Sequence, residues 1–252
     1  MKLGFTDQKK ILSGKRRYFN FANSLEFDLG KIVTHRASII FDLDGTLIDS
    51  AKDIQWVANT ALSKIGVAPI NYEETISFIG EGAPLFVKKM IAARSVETEK
   101  QDFLLEQFLK FYEKAVQFSK PYDNVVTVLE MLKANHDLGI CTNKPLKPAL
   151  KILKHLKLDH FFKCVTGGDN PIARKPDPRP LLKTSESVGD GLCIYVGDSE
   201  VDAETAKRAE VPFLLFSEGY RKTPVEQIPH TFDFSSFKDL PKLIEKTLET
   251  YQ

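Results

Sequence analysis

The run Ala37-Ser38-Ile39-Ile40-Phe41 is apolar apart from one serine and stops on Asp42-Leu43-Asp44-Gly45-Thr46. A stretch this short and this uniformly apolar, closed by a glycine turn, fits a strand buried on both faces of a parallel sheet. Similar runs recur at Leu138–Thr142, Leu192–Val196 and Pro212–Phe216. Each follows a stretch of helical period, and the helices predicted in this part of the chain are Val125–Asn135, Leu146–Leu158, Leu181–Val188 and Val201–Ala209. Strands that alternate with helices make βαβ units, so the predicted class is α/β with a mainly parallel sheet and right-handed crossovers.

The stretch from residue 42 to residue 137 is far longer than one crossover requires. Within it Ser50–Ile65, Tyr72–Phe78, Ala83–Ala93 and Glu97–Phe118 have helical period, with Ile54, Val57, Ala58, Ala61, Leu62 and Ile65 on one face of the first. The organisation predicted is a core of residues 37–50 and 121–252, with residues 51–120 inserted as a helical cap. Gly45-Thr46 and Pro121 mark its hinges. Residues 1–36 have weak periodicity and are predicted to be a frayed or loosely docked extension, dispensable for catalysis. They hold eight Lys/Arg against three acids, a net of +5, so the rest of the chain carries −4 of the overall +1.

That near-neutral balance gives no bulk attraction to nucleic acid. The sequence contains no apolar run of membrane-spanning length, and residues 1–36 lack a secretory h-region. Cys141, Cys164 and Cys193 are odd in number and scattered, which suits a reducing cytoplasm and neither a disulfide framework nor a CxxC metal site. The expectation is a cytoplasmic protein without nucleic-acid or membrane partners, its self-association left open.

Ligands in open α/β sheets bind at the carboxyl ends of the strands, and that is where the acids fall. Asp42 and Asp44, at i and i+2, point the same way if the strand persists. Asp198 and Asp202 follow the run Leu192–Val196, one helical turn apart at a helix start. Clustered carboxylates repel unless a proton, a cation or a metal joins them. An all-oxygen set favours a hard ion, Mg²⁺ in particular when phosphate completes the coordination. Two further segments supply complementary groups: Thr142-Asn143-Lys144 after one strand, and Lys175 before Pro176 in a loop. A hydroxyl and an ammonium at this edge suit phosphoryl oxygens.

These segments resemble the four motifs of the haloacid dehalogenase superfamily of phosphotransferases: Phe41-Asp42-Leu43-Asp44-Gly45-Thr46-Leu47, Thr142-Asn143, Lys175-Pro176, and Gly197-Asp198-Ser199 with Asp202. Within it the likeness is greatest to the 2-phosphoglycolate phosphatases, through Ile79-Gly80-Glu81-Gly82-Ala83-Pro84, Cys141-Thr142-Asn143-Lys144-Pro145, Gly167-Gly168-Asp169 ahead of Arg174-Lys175-Pro176, and Glu218-Gly219-Tyr220. The resemblance implies a Rossmann-like three-layer core with an α-helical cap and hydrolysis of 2-phosphoglycolate through an aspartyl-phosphate. It assigns Asp42 as nucleophile, Asp44 as general acid/base, Thr142 as a phosphate-binding hydroxyl and Lys175 as the charge-neutralising lysine. Mg²⁺ would be held by Asp42, the Asp44 main-chain carbonyl and Asp198, with Asp202 orienting the ligands. Thr46, Gly80, Glu81, Gly82, Ala83, Asn143 and Lys144 are the substrate-binding candidates. Two features depart from the pattern: residues 1–36 are extra, and Asp123-Asn124 stand where Pro-Gly is frequent.

The core motifs recognise only phosphate, so selectivity must come from elsewhere. Gly80-x-Gly82-Ala83 opens a helix, and its free N–H groups, with Lys88 or Lys89, are the candidate receptor for the substrate's carboxylate. The alternatives are a capped phosphatase or β-phosphoglucomutase-like enzyme acting on a sugar phosphate, and a phospho-accepting signalling domain. A dehalogenase has no use for the Asp44 and Asp198 arrangement, and the long insert argues against the signalling domain.

Overall fold

The computed structural model describes residues 36–170 and 173–251. The expected extension 1–36 lies outside them except for Arg36. The core sheet has six parallel strands: β1 (Ser38–Phe41), β4 (Asp137–Cys141), β5 (Cys164–Thr166), β6 (Cys193–Gly197), β7 (Phe213–Phe216) and β8 (Phe232–Phe234), in the order β5-β4-β1-β6-β7-β8. A short antiparallel pair, β2 (Ile48–Asp49) with β3 (Lys120–Pro121), stands apart from it.

Alternation along the strands shows why the sheet must be covered on both sides. Ile39, Phe41, Ile140, Val196 and Leu214 pack with α5 (Val125–Asn135), α6 (Leu146–His155) and α9 (Leu240–Thr250). Ile40, Cys141, Tyr195, Phe213 and Leu215 face the other way, onto α7 (Arg179–Val188) and α8 (Glu200–Ala209). Helix, sheet and helix make the three layers, and each strand reads as continuously apolar because neither face meets water. Strand β1 is flanked by β4 and β6, with Phe41 level with Ile140 and Val196. The residues that follow these three strands therefore emerge side by side, at the point where the strand order reverses.

Between β2 and β3 the chain forms α1 (Ala51–Ser63), α2 (Tyr72–Phe78), α3 (Ala83–Ala93) and α4 (Gln101–Tyr112). They enclose a second apolar cluster that includes Ile54, Val57, Leu62, Phe86, Met90, Leu104 and Phe108. The last of them ends six residues before the predicted Phe118, because residues 117–119 turn their N–H groups onto the buried carboxylate of Asp53. Gln117, Phe118 and Ser119 donate to it over 2.8–3.2 Å, and the Ser119 hydroxyl adds a fourth donor at 2.5 Å. No helix among the described residues is long and apolar enough to cross a membrane.

The Asp53 carboxylate thus closes the helical insert where it returns toward β3. Asp53→Ala leaves the two buried Ser119 donors, and the partly buried N–H groups of Gln117 and Phe118, without an acceptor and is expected to lower stability by about 2–3 kcal/mol. Chemical denaturation will check this, with Asp53→Asn intermediate because its amide oxygen still accepts.

Candidate active site

The ladder of β1 continues one residue past the strand, since the Asp42 N–H donates to the Val196 carbonyl at 2.9 Å. Asp42 is thereby fixed beside the end of β6. The chain then coils tightly: the N–H groups of Leu47 and Ile48 both reach the Leu43 carbonyl, and Gly45 donates to Ile48. Gly45 has φ +87°, and a Cβ there would collide with the Asp198 carboxylate and the Tyr220 ring, so only glycine fits.

Lys175 lies at the bottom of the site, fully buried. Its ammonium is 2.7 Å from Asp202 Oδ1, 2.9 Å from Asp42 Oδ1 and 2.9 Å from the Tyr195 hydroxyl. The contact to Asp42 is an ion pair, and Asp42 Oδ1 is a buried oxygen without a further partner among the described residues. Burial pushes the Asp42 carboxyl up to about 6, with Lys175 pulling against it and Asp202 adding to it. Lys175 is itself driven the other way: burial disfavours its charge, but Asp202 and Asp42 together raise its pKa.

Asp202 is spoken for on both oxygens. Besides Lys175, Oδ1 accepts from the Tyr195 hydroxyl at 2.7 Å, while Oδ2 accepts from the Ser199 hydroxyl and the N–H groups of Ser199 and Asp198. Ser199 and Asp202 form a capping box at the start of α8, so the same contacts that begin the helix orient the acid. Burial opposes its ionisation, yet Lys175, Ser199 and Tyr195 hold Asp202 below the usual carboxylate range. Asp198 differs: burial, then Asp202 and Asp42, raise its pKa well above normal despite bonds from the Thr46 hydroxyl and the Tyr220 N–H, both 2.6 Å. Oxygens of Asp42, Asp198 and Asp202 lie within 4.8 Å of one another.

Asp44 lines the same cleft as Asp42. Its Oδ1 accepts from the Ser50 hydroxyl at 2.6 Å, and the Lys144 ammonium lies 3.1 and 3.3 Å from its two oxygens. Lys144 also donates to the Tyr112 hydroxyl at 2.9 Å. Burial above all, with the Asp44, Asp53 and Asp42 carboxylates adding to it, keeps that phenol protonated. Thr142 accepts the Lys144 N–H and faces the cleft. Asn143 bridges the core and the helical insert, its amide donating to the Gly80 carbonyl at 2.9 Å and the Lys175 carbonyl at 3.0 Å.

The cleft is lined by Asp42, Asp44, Thr142, Asn143 and Lys144 from the core, and by Gly80, Gly82, Ala83, Phe86, Phe108 and Tyr112 among others from the insert. Some of the residues expected to contact substrate stand apart from the cleft wall. Thr46 is wholly buried and its hydroxyl serves Asp198, so it positions that acid. Glu81 is paired with Lys89 and is not part of the cleft wall. Lys88 is exposed, so neither lysine stands at the proposed carboxylate receptor.

Sequence reasoning missed Tyr112 and Tyr195. Tyr195 was legible in principle, because a buried phenol in an apolar strand must find a polar partner. Tyr112 looks like core until its partner from β4's end is known.

Removing the ammonium strands two buried carboxylates. Lys175→Met is expected to cost about 3 kcal/mol at pH 8. Without Lys175 burial dominates at both acids and is expected to raise their folded-state pKa values above the unfolded ones, so the loss shrinks as pH falls from 8 toward 5. Urea titrations at the two pH values will check both sign and size.

A family profile described as haloacid dehalogenase-like hydrolase matches residues 39–216. A phosphoglycolate phosphatase of Rhodobacter capsulatus is 39% identical over 211 residues, 82% of this chain and 96% of that one. The phosphoglycolate phosphatase of Aquifex aeolicus is 36% identical over 211 residues, again 82% and 96%. Among solved structures, a predicted phosphoglycolate phosphatase from Haemophilus somnus superposes with a TM-score of 0.78 at 28% identity, covering 84% of this chain and 99% of that one. With the profile spanning most of the chain and the relatives matched over nearly their full length, the chain belongs to the haloacid dehalogenase-like hydrolase family.

Proposed function

We propose that the protein is a Mg²⁺-dependent phosphomonoesterase that hydrolyses 2-phosphoglycolate through an aspartyl-phosphate on Asp42. The observation that carries this is the presence of two acids in one cleft with different partners: Asp42 backed by Lys175 at 2.9 Å, and Asp44 held by Ser50 and Lys144. The relatives' names support the substrate.

Asp42 attacks phosphorus in line, the ester P–O bond breaks, and Asp44 gives its proton to the departing glycolate oxygen. Asp44 then takes a proton from water, whose oxygen attacks phosphorus and frees Asp42 and phosphate. The Thr142 hydroxyl and the Lys175 ammonium hold phosphoryl oxygens as charge develops. Asp42, Asp198 and the Asp44 carbonyl would hold the metal, since Asp202 has no free oxygen to offer. A hard cation fits because the donors are all oxygen and Asp198 resists ionisation without a positive neighbour. When bound, Mg²⁺ offsets repulsion between the attacking carboxylate and the phosphate dianion. The three cysteines are free, in keeping with a reducing cytoplasm.

Phosphate release across a panel of 2-phosphoglycolate, sugar phosphates and nucleotides is expected to favour the first, and excess EDTA to abolish it until Mg²⁺ is restored. Asp42→Asn is expected to lower kcat at least a thousandfold, about 4 kcal/mol of barrier. A loss within tenfold removes Asp42 from its role, and full turnover in EDTA removes the metal.

A further inference from the structure

We propose that Tyr112 of the helical insert and Lys144 of the core together receive the substrate's carboxylate, which makes Tyr112 a specificity-determining residue. The proposal rests on the reading of the cleft as a phosphoglycolate phosphatase site and goes further by naming what reads the acid end of the substrate.

The argument begins with covalent geometry. The leaving oxygen must touch Asp44 to take its proton, and in 2-phosphoglycolate the carboxylate carbon is only two bonds from that oxygen. Whatever binds the carboxylate must therefore lie next to Asp44. Among the described residues, two cations line the space that Asp44 walls: Lys222 is turned to the Ile79 carbonyl at 3.0 Å, whereas the Lys144 ammonium is within 3.1 and 3.3 Å of the Asp44 oxygens themselves. The glycine loop has N–H groups to offer, but Lys89 is committed to Glu81 and Lys88 lies outside.

The donors match a carboxylate. Lys144 is 6% exposed and faces an otherwise apolar wall of Ile54, Phe86 and Phe108, so a second anion gains more from it there than at the surface. Asp44 takes two long contacts from Lys144 where one short one suffices, and the second N–H can turn to a ligand. The Tyr112 hydroxyl accepts from Lys144 at 2.9 Å, which orients it in the cleft, and its own proton, beside the Asp44 carboxylate, can turn to a ligand's. Its ring also lies under the ammonium, 4.1 Å from centroid to Nζ, and packs edge-on to Phe108. Ammonium and phenol thus offer two converging donors, one from the core and one from the insert. A substrate carrying a carboxylate ties the two together, whereas one with a neutral tail does not.

The test compares kcat/KM for 2-phosphoglycolate with that for 2-hydroxyethyl phosphate, the same chain with the carboxylate replaced by a neutral alcohol, using the full chain with Mg²⁺. The wild type is expected to prefer the acid. Tyr112→Phe keeps the ring and is expected to lower the preference about tenfold, and Lys144→Gln about a hundredfold, the worth of one and of a charge-assisted contact. The double variant is expected to fall no further than Lys144→Gln, since the two act as a unit. The readout is the ratio, so a general loss of rate from disturbing Asp44 does not mimic the result, and thermal melting checks that each variant is folded. If Tyr112→Phe does not fold, the Lys144→Gln ratio still decides whether this corner reads the acid. A wild-type preference that survives in both variants overturns this assignment alone. A wild type without preference overturns the substrate reading, and this proposal with it.

Discussion

One buried ammonium sets the terms for the rest of this site. Lys175 has no access to water and holds its charge because Asp202 and Asp42 stand 2.7 and 2.9 Å away. Without it the three acids could not coexist in so small a volume; with it, one is fully ionised and fully bonded while the other two are destabilised as anions. Asp202 takes the stable role, satisfied by Lys175, Tyr195 and the start of α8. The destabilised pair, Asp42 and Asp198, is left wanting a positive charge. An arrangement in which surplus negative charge accumulates at the open end of a network anchored at its closed end is poised to bind a cation and to use a carboxylate as a nucleophile.

The sheet makes that network possible by bringing residues far apart in sequence to one edge. Asp42, Thr142 and Asp198 follow adjacent strands in register, so their spacing is dictated by the interstrand distance rather than by loop conformation. The loops that follow are short and heavily bonded. Gly45 allows the Asp198 carboxylate to press against the turn after β1, and Tyr220 closes over the same acid with its N–H. Rigidity here has a function, since in-line displacement tolerates little misplacement of nucleophile or acid.

How much of this was legible follows from what periodicity encodes. The apolar runs that became β1, β4, β6 and β7 shifted by only a residue or so, because burial on both faces leaves a strong signature. The strands β5 and β8 have three residues each and lie at the sheet's edges, too short to carry a pattern. Helix α9 is absent from the elements expected from sequence, although Leu240, Ile244, Thr247 and Leu248 fall on one face and carry a helical pattern. In the site, Asp42, Asp44 and Asp198 stand out because charged residues at the ends of apolar runs are unusual, and Lys175 because a proline follows it in its loop. Thr46 is expected from sequence to meet the substrate, whereas the structure pairs its hydroxyl with Asp198. A sequence shows which side chains can make polar contacts; it does not show which contacts the protein makes with itself.

The helical insert raises a different question, how a separate apolar unit is kept in register with chemistry it does not perform. Its own core would be satisfied in many positions over the sheet, since apolar packing is not directional. Direction comes from a few polar contacts to the core. Asn143 and Lys222 donate to the consecutive carbonyls of Gly80 and Ile79, at 2.9 and 3.0 Å, and Lys144 donates to Tyr112. At the hinge the Tyr220 hydroxyl accepts from the N–H groups of Ser50 and Ala51 and donates to Asp49, while the same residue's N–H lies on Asp198. Asn143 likewise reaches the carbonyl of Lys175. The residues that hold the insert in place are therefore the immediate neighbours of the acids and the lysine. Any change in charge at those acids acts on groups that also position the cleft's upper wall, and substrate contacts made by that wall act back on the same groups. Binding energy collected at the far end of a small substrate is in this way delivered to the place where the phosphorus must be aligned.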